Sequence, residues 1–415
     1  MLLLIHDYAG HPFQVQLSRF LARRGHQVVH AYCGSTLTPR GTLAATPAEE
    51  GRLAIESLDL GETIVKNSFR RRRAQENQYG RLFRELIGRV KPDVVISGNT
   101  PSAPQRTAAR FCSKHGIAFV SWVQDIYGVA AKKILRKKLG LAGSLIGNYF
   151  IHLDKQALRL SDAVVVITED FVPTLRDWGV AAKRVKYVPN WAPLDECPMR
   201  PKDNDWSRRH GLHDKVVLLY SGTLGMKHNP SLLVQLAQRV QGRADVRVVV
   251  ISEGAGVEWL KQEKERVGLE NLLILKFQPF NVLPDVLGTA DVLLAILERD
   301  AGAFSVPSKV LTYLCAGRPL LLSVPIENLA ARIVQEQGAG MVVAPEAERQ
   351  FSEAGLAYLD NANLRAEFGA NARRYAEEHF DIEAITDRFE SIFEMARSGS
   401  RFAADPHTQL ATLST

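Results

Sequence analysis

Short apolar runs, the right length for buried strands, alternate with amphipathic stretches of helical period along almost the whole chain. A chain patterned this way lays its strands side by side in parallel and covers both faces with helices. Strands are expected at 2–5, 28–31, 93–96, 118–123 and 163–167, with weaker ones near 53–58 and 185–188, and helices at 12–24 and 75–90. A proline- and charge-rich stretch over 190–214 then breaks the periodicity. The pattern restarts with strands at 216–220, 246–251, 272–275, 292–296, 320–323 and 341–343. At 415 residues the chain is too long for one ordinary core. The expected fold class is therefore α/β, with two doubly wound, Rossmann-like domains facing across a cleft. Their bounds are 1–190 and 214–379, joined by a linker over 191–213. A helix over 380–396 is expected to return to the first domain, and the polar, helix-poor 397–415 to form a disordered tail.

Composition narrows the class. Hydrophobic residues make up 46% and charged ones 23%, which excludes a disordered chain. No apolar run reaches the roughly 18 residues needed to span a bilayer. Met1 to Ile5 run straight into His6 and Asp7, which excludes a secretory h-region. Cys33, Cys112, Cys197 and Cys315 lack metal-type spacing or a disulfide framework, so a reducing cytoplasm and no metal are expected. A formal charge of +7 favours an anionic partner.

The chemistry-bearing residues gather at strand ends, where sheets of this kind hold ligands. Ala303 to Gly317 follow a buried strand and read as loop, then helix. Ser305 is a good N-cap, Pro307 falls in the first turn, and Ser308 and Lys309 add a hydroxyl and an ammonium. Free amides, helix dipole and lysine together suit a diphosphate. The turn Tyr220-Ser221-Gly222-Thr223-Leu224-Gly225-Met226-Lys227 has a phosphate-type glycine and lysine pattern too, so Lys227 and Lys309 are expected to converge on one leaving group. In the first half, Gly10 would let backbone approach a ligand, and His11 could donate to a phosphate or sugar hydroxyl or merely cap a helix. Gln124 and Asp125 end a buried strand. Asp125 could orient an acceptor hydroxyl or act as base, or cap the helix beginning near Gly128.

Leu135, Leu139, Ala142, Ile146, Tyr149, Leu153 and Ala157 recur at helical spacing, the pattern of a helix packed on a core. Lys132, Lys133, Arg136, Lys137 and Lys138 beside them, with Arg70, Arg71, Arg72 and Arg73, read as a patch for an anionic membrane surface. Nucleic acid is disfavoured, since no aromatic stacking platform accompanies the charge.

The layout over residues 1–396 resembles the family 4 glycosyltransferases of GT-B fold. The residues that carry the likeness are the Gly10 loop before LSRFLARRGHQVV, YVPN at 187–190, YSGTLGMKHN, VPSKVLTYLCAGRPLLLS and FDIEAITDRFESIFE. The variants look most like bacterial transferases of colanic acid and O-antigen synthesis, which use lipid-diphosphate-linked acceptors. The resemblance implies a retaining, metal-independent, hexosyltransferase-type enzyme, cytoplasmic and peripheral on the inner face of the plasma membrane. Its nucleotide-sugar donor, a UDP-sugar, would be a substrate and no cofactor would be needed. It also implies contacts to donor sugar and base at Glu253 and Phe280. The chain departs from the family where two glutamates usually stand, because those positions are Phe304 and Thr312. Glu298 or Asp300 could substitute, and Gln124 replaces a frequent histidine. A non-hydrolysing sugar-nucleotide epimerase of the same fold, or a non-catalytic two-lobed sugar-binding protein, remains the alternative.

Overall fold

The computed structural model describes residues 1–36, 40, 42–65, 68–225, 228–299 and 307–399. Its first unit comprises residues 1–189 and the helix Ile382–Gly399, and its second is Asn190–Asp381.

The first unit holds a seven-stranded, wholly parallel sheet in the order β3-β2-β1-β4-β5-β6-β7. The strands are β1 (Leu2–Asp7), β2 (Gln27–Cys33), β3 (Leu53–Leu58), β4 (Val94–Gly98), β5 (Ala118–Val123), β6 (Ala163–Val166) and β7 (Val185–Tyr187). In the second unit β8 (Val216–Ser221), β9 (Val246–Ile251), β10 (Leu272–Leu275), β11 (Val292–Ile296), β12 (Leu320–Ser323) and β13 (Gly340–Val343) form a parallel sheet in the order β10-β9-β8-β11-β12-β13. Central strands such as β4 and β11 are buried throughout, because helices cover both their faces. Each sheet reverses its winding once, between β1 and β4 and again between β8 and β11. Such a reversal opens a crevice at the carboxyl ends of the strands.

Aspartates placed just before strands pin these junctions. Asp93 accepts from the Leu2 amide at 2.7 Å, Asp162 from Phe119 at 2.9 Å and Asp291 from Val217 at 2.8 Å. Each carboxylate takes an amide in the first two residues of the neighbouring strand, and the backbone amide of the same aspartate donates back to that residue's carbonyl.

Several expectations change. The helix expected at 75–90 begins at Phe69. The stretch 191–213 packs into the second unit. It contains the helix Asp205–Arg209, capped by Asn204, and buries Trp206, whose indole donates to Gln278 at 3.0 Å. The last helix continues to Gly399, so Arg397 to Gly399 are helical, and 400–415 lie outside the described residues. The segment read as one core-packing helix is a hairpin. Helix Tyr127–Leu160 breaks at Gly140 (φ 58°, ψ −131°), and the chain folds back on itself. Leu153 and Ala157 reach the core, whereas Leu139, Ala142 and Tyr149 are exposed.

Candidate active site

In the second unit the turn after β8 and the helix Ser308–Cys315 lie against each other. Gly222 has φ 138°, open to glycine and strained for other residues. A Cβ there would lie 2.6 Å from the Lys309 Nζ, so the ammonium sits directly on the turn. Lys309 donates to the Tyr220 hydroxyl at 2.6 Å and lies 3.9 Å from that ring's centre. Tyr313 locks the same corner by accepting from the Ser221 amide at 2.9 Å and donating to its carbonyl at 2.8 Å. The ammonium is enclosed between the turn and the Tyr220 ring. Among the described residues no carboxylate pairs with it, and burial pushes its pKa down to about 7. An arriving diphosphate would supply the missing countercharge.

The helix itself begins one step later than expected. Pro307 is the N-cap and Ser308 the first helical residue, exposed at its N-terminus, while Ser305 lies outside the described residues. Lys227 lies outside them too, with Asp300 and Phe304. Thr223 is exposed and its carbonyl accepts from Tyr220 at 3.0 Å. Glu253, also exposed, lies two residues beyond the neighbouring β9. The preceding Ser252 hydroxyl accepts from the Leu224 amide at 3.0 Å, tying that end to the glycine turn. Glu298 is half-buried just beyond β11, on the other side of β8. Phe280 stands apart, after edge strand β10, two strands from β8.

In the first unit the switch between β1 and β4 sets His11 among two side chains that the sequence reading missed, Asp7 and Asn99. Asp7, fully buried at the end of β1, accepts from the His11 backbone amide, and its carboxylate holds the His11 ring at 3.2 Å. Asn99, beyond β4, donates to Asp7 at 3.2 Å and sits 3.1 Å from His11 Nδ1. Its φ of 54° places a non-glycine residue in the left-handed region, a costly conformation typical of functional loops. Burial works against the imidazolium, yet Asp7 and then Asp125 hold the His11 pKa above its ordinary value. Burial likewise opposes the Asp7 carboxylate, and His11 prevails in keeping its pKa low. The capping alternative for His11 is not what the side chain does. It is the N-cap residue of helix Pro12–Arg23, but its side chain makes no cap bond.

Asp125 is exposed in the loop after β5, beside buried Gln124. It is not the helix cap. That position belongs to Ile126, and Asp154 takes the Gly128 amide at 2.6 Å. A pocket there is lined by Asn99, Gln105, Gln124, Asp125, Tyr127 and Asp154. Burial raises the Asp154 pKa to about 6, so this carboxyl holds a proton more readily than a surface aspartate. Gly10 also departs from expectation. Although its φ is 77°, it is buried and the Arg40 side chain packs 3.4 Å from where a Cβ would stand.

Two parallel doubly wound units, each bearing polar groups at its switch point, are the architecture of the GT-B fold. Solved structures agree on the fold. HepE of Anabaena in complex with UDP-glucose matches with a TM-score of 0.68 at 13% identity, over 95% of this chain and 99% of that one. WaaG, a glycosyltransferase involved in lipopolysaccharide biosynthesis, matches with a TM-score of 0.68 at 15% identity, over 95% and 99%. Residues 11–191 match the family described as Glycosyl transferase 4-like domain and 202–375 that described as Glycosyl transferases group 1, and the chain belongs to these family 4 glycosyltransferases. Among curated proteins, one named as the colanic acid biosynthesis glycosyl transferase WcaI of Escherichia coli (strain K12) is 27% identical over 310 residues, 72% of this chain and 74% of that one.

Proposed function

We propose that this glycosyltransferase moves a hexose from a UDP-sugar to a lipid-diphosphate-linked saccharide in cell-surface polysaccharide synthesis. Transfer would retain anomeric configuration and use no metal or cofactor. The observation that carries the donor assignment is the Lys309 ammonium seated on the Gly222 turn. A diphosphate leaving group bound there meets a positive charge, the amides of a glycine turn and the N-terminus of helix Ser308–Cys315. Lys227 would supply a second charge, replacing that of a divalent ion. Glu298 would take the place of the family glutamates at the donor sugar, with Glu253 beside it, and Phe280 would contact the base. On the acceptor side Asp7 orients His11, and Asp125 orients or deprotonates the attacking hydroxyl. The lipid-linked acceptor and inner-membrane location rest on the likeness to WcaI and on the basic residues of the first unit. The purified chain should release UDP from one of a panel of UDP-sugars only when membrane lipid extract is added. Release that is independent of the extract, or confined to GDP-sugars, overturns this assignment.

A further inference from the structure

Six of the ten large apolar side chains exposed among the described residues lie on one feature, the hairpin Tyr127–Leu160 and the adjoining start of helix Phe69–Val90. Leu141 is 87% exposed and Leu145 72%, with Ile134, Leu139, Tyr149 and Phe69 between 40% and 55%. The hairpin is a built structure and not a frayed helix. Its arms are pressed together at glycines: a Cβ on Gly143 would strike the Leu135 carbonyl, one on Gly147 the Lys132 backbone, and one on Gly128 would lie 2.8 Å from the Ile151 amide nitrogen. At its base Tyr127 and Asp154 line the acceptor-side pocket. Its tip, around Gly140, carries leucines that contribute nothing to the core.

Charge says what covers that tip. Arg136, Lys137 and Lys138 are exposed on the first arm, next to the bare leucines, and Arg70 is exposed nearby. Arg72 is not part of this patch, because its guanidinium bonds Glu76 at 2.9 Å and also Tyr127, inside the unit. Arg73 braces the hairpin through the Tyr149 hydroxyl at 2.9 Å. Exposed leucines beside a cluster of exposed cations suit acyl chains beneath anionic headgroups. A basic, leucine-tipped surface suits a second copy of itself poorly, because the like charges would meet. No helix among the described residues is long and apolar enough to cross a membrane.

We propose that the hairpin is a wedge that inserts Leu139, Leu141 and Leu145 into the outer acyl region of an anionic phospholipid leaflet. The wedge holds the acceptor-side pocket at a set height above it. From Leu141 to Asp154 is 13 residues, or about 20 Å of helix. The inference rests on the membrane-surface reading above and adds to it an apolar, depth-setting anchor.

The four native cysteines are buried, so a Leu141→Cys variant of the full chain can be labelled selectively with an environment-sensitive dye. With vesicles of phosphatidylcholine and 30% phosphatidylglycerol its emission should rise and shift to the blue, and lipid-borne quenchers in the acyl chains should reduce it. Leu141→Asn with Leu145→Asn should weaken vesicle binding about tenfold or more, since each leucine loses its apolar transfer. UDP affinity should be unchanged, which also reports that the variant is folded. Dye emission indifferent to vesicles overturns insertion, as does binding that the double variant leaves intact. A blue shift that appears without lipid, in step with dimer formation, assigns the face to a second copy and overturns it too. Vesicle binding with no transfer to any lipid-linked acceptor would refute the functional reading and leave the wedge standing.

Discussion

At the scale of single residues, Lys309 carries opposing demands. Burial disfavours its charge, so its folded pKa of about 7 lies below the ordinary lysine value. The stability this linkage provides is present above about pH 10.5 and lost as pH falls through 7, because the unfolded chain takes up the proton first. Lys309→Met should therefore raise the melting temperature at pH 7 while weakening UDP binding about ten- to hundredfold. Calorimetric titration and a thermal melt read both effects, and unchanged UDP affinity would remove the diphosphate assignment. Asp125→Asn should lower turnover at least about tenfold and leave UDP affinity nearly intact. Equal rates would show that Asp125 has no part in the reaction. Lys309 and Gly222 were legible because turn chemistry is local. Asp7 and Asn99 were not, since Asp7 reads as a strand end and the strain at Asn99 appears only in its backbone angle. The polar Gly98-Asn99-Thr100 run after a buried strand was the available signal.

At the scale of elements, strand positions followed from apolar runs that only a doubly covered sheet can bury, and all thirteen appear near their expected places. The hairpin did not follow. Leu135, Leu139, Ala142, Ile146 and Tyr149 have a helical period that is the same whether the face meets protein or something else. What broke the helix was Gly140, in a conformation a central helix cannot hold. Gly147→Leu should force the arms apart, because its side chain would occupy the Lys132 backbone. We expect a loss of about 1–3 kcal/mol in urea unfolding. A variant as stable as the parent would mean the arms are not in contact.

At the scale of the molecule, the chain returns to its beginning. In helix Ile382–Gly399, Ile385, Phe389, Ile392 and Phe393 are buried, with Phe389 4.8 Å from Trp122 between ring centres. Arg24 gathers Glu383, Asp387 and Glu390 from the same helix, with Glu390 2.8 Å away. Ending the chain after Asp381 should therefore lower the melting of the first unit and leave that of the second in place, as followed by calorimetry. A single unshifted profile would contradict this. The first unit also buries His6, bonded to Tyr79 at 2.7 Å and Ser97 at 3.0 Å, and His30, bonded to Ser18 at 2.8 Å. Burial drives their pKa values down to about 3 and about 4. Above pH 6.5 neither folded nor unfolded chain protonates them. Below it only the unfolded chain does, so stability falls by up to about 1.4 kcal/mol per pH unit per histidine until the folded pKa is reached. Unfolding measured between pH 8 and 4 should show this slope, and His6→Gln should flatten it. A profile level through that range would mean the histidines are not held neutral.

The sequence by itself determined the two parallel sheets and the family, because strand burial and the family's motifs are encoded within a few neighbouring residues. Tertiary structure alone decided that Lys309 rests on Gly222 and Tyr220, and that Asp7, His11 and Asn99 meet. It also decided that three residues of a seven-residue apolar stripe, Leu139, Ala142 and Tyr149, stay bare. Each of these depends on which distant segments the winding of a sheet brings side by side. A local pattern of residues carries the cost of burying a group, but not the identity of the neighbour that offsets it.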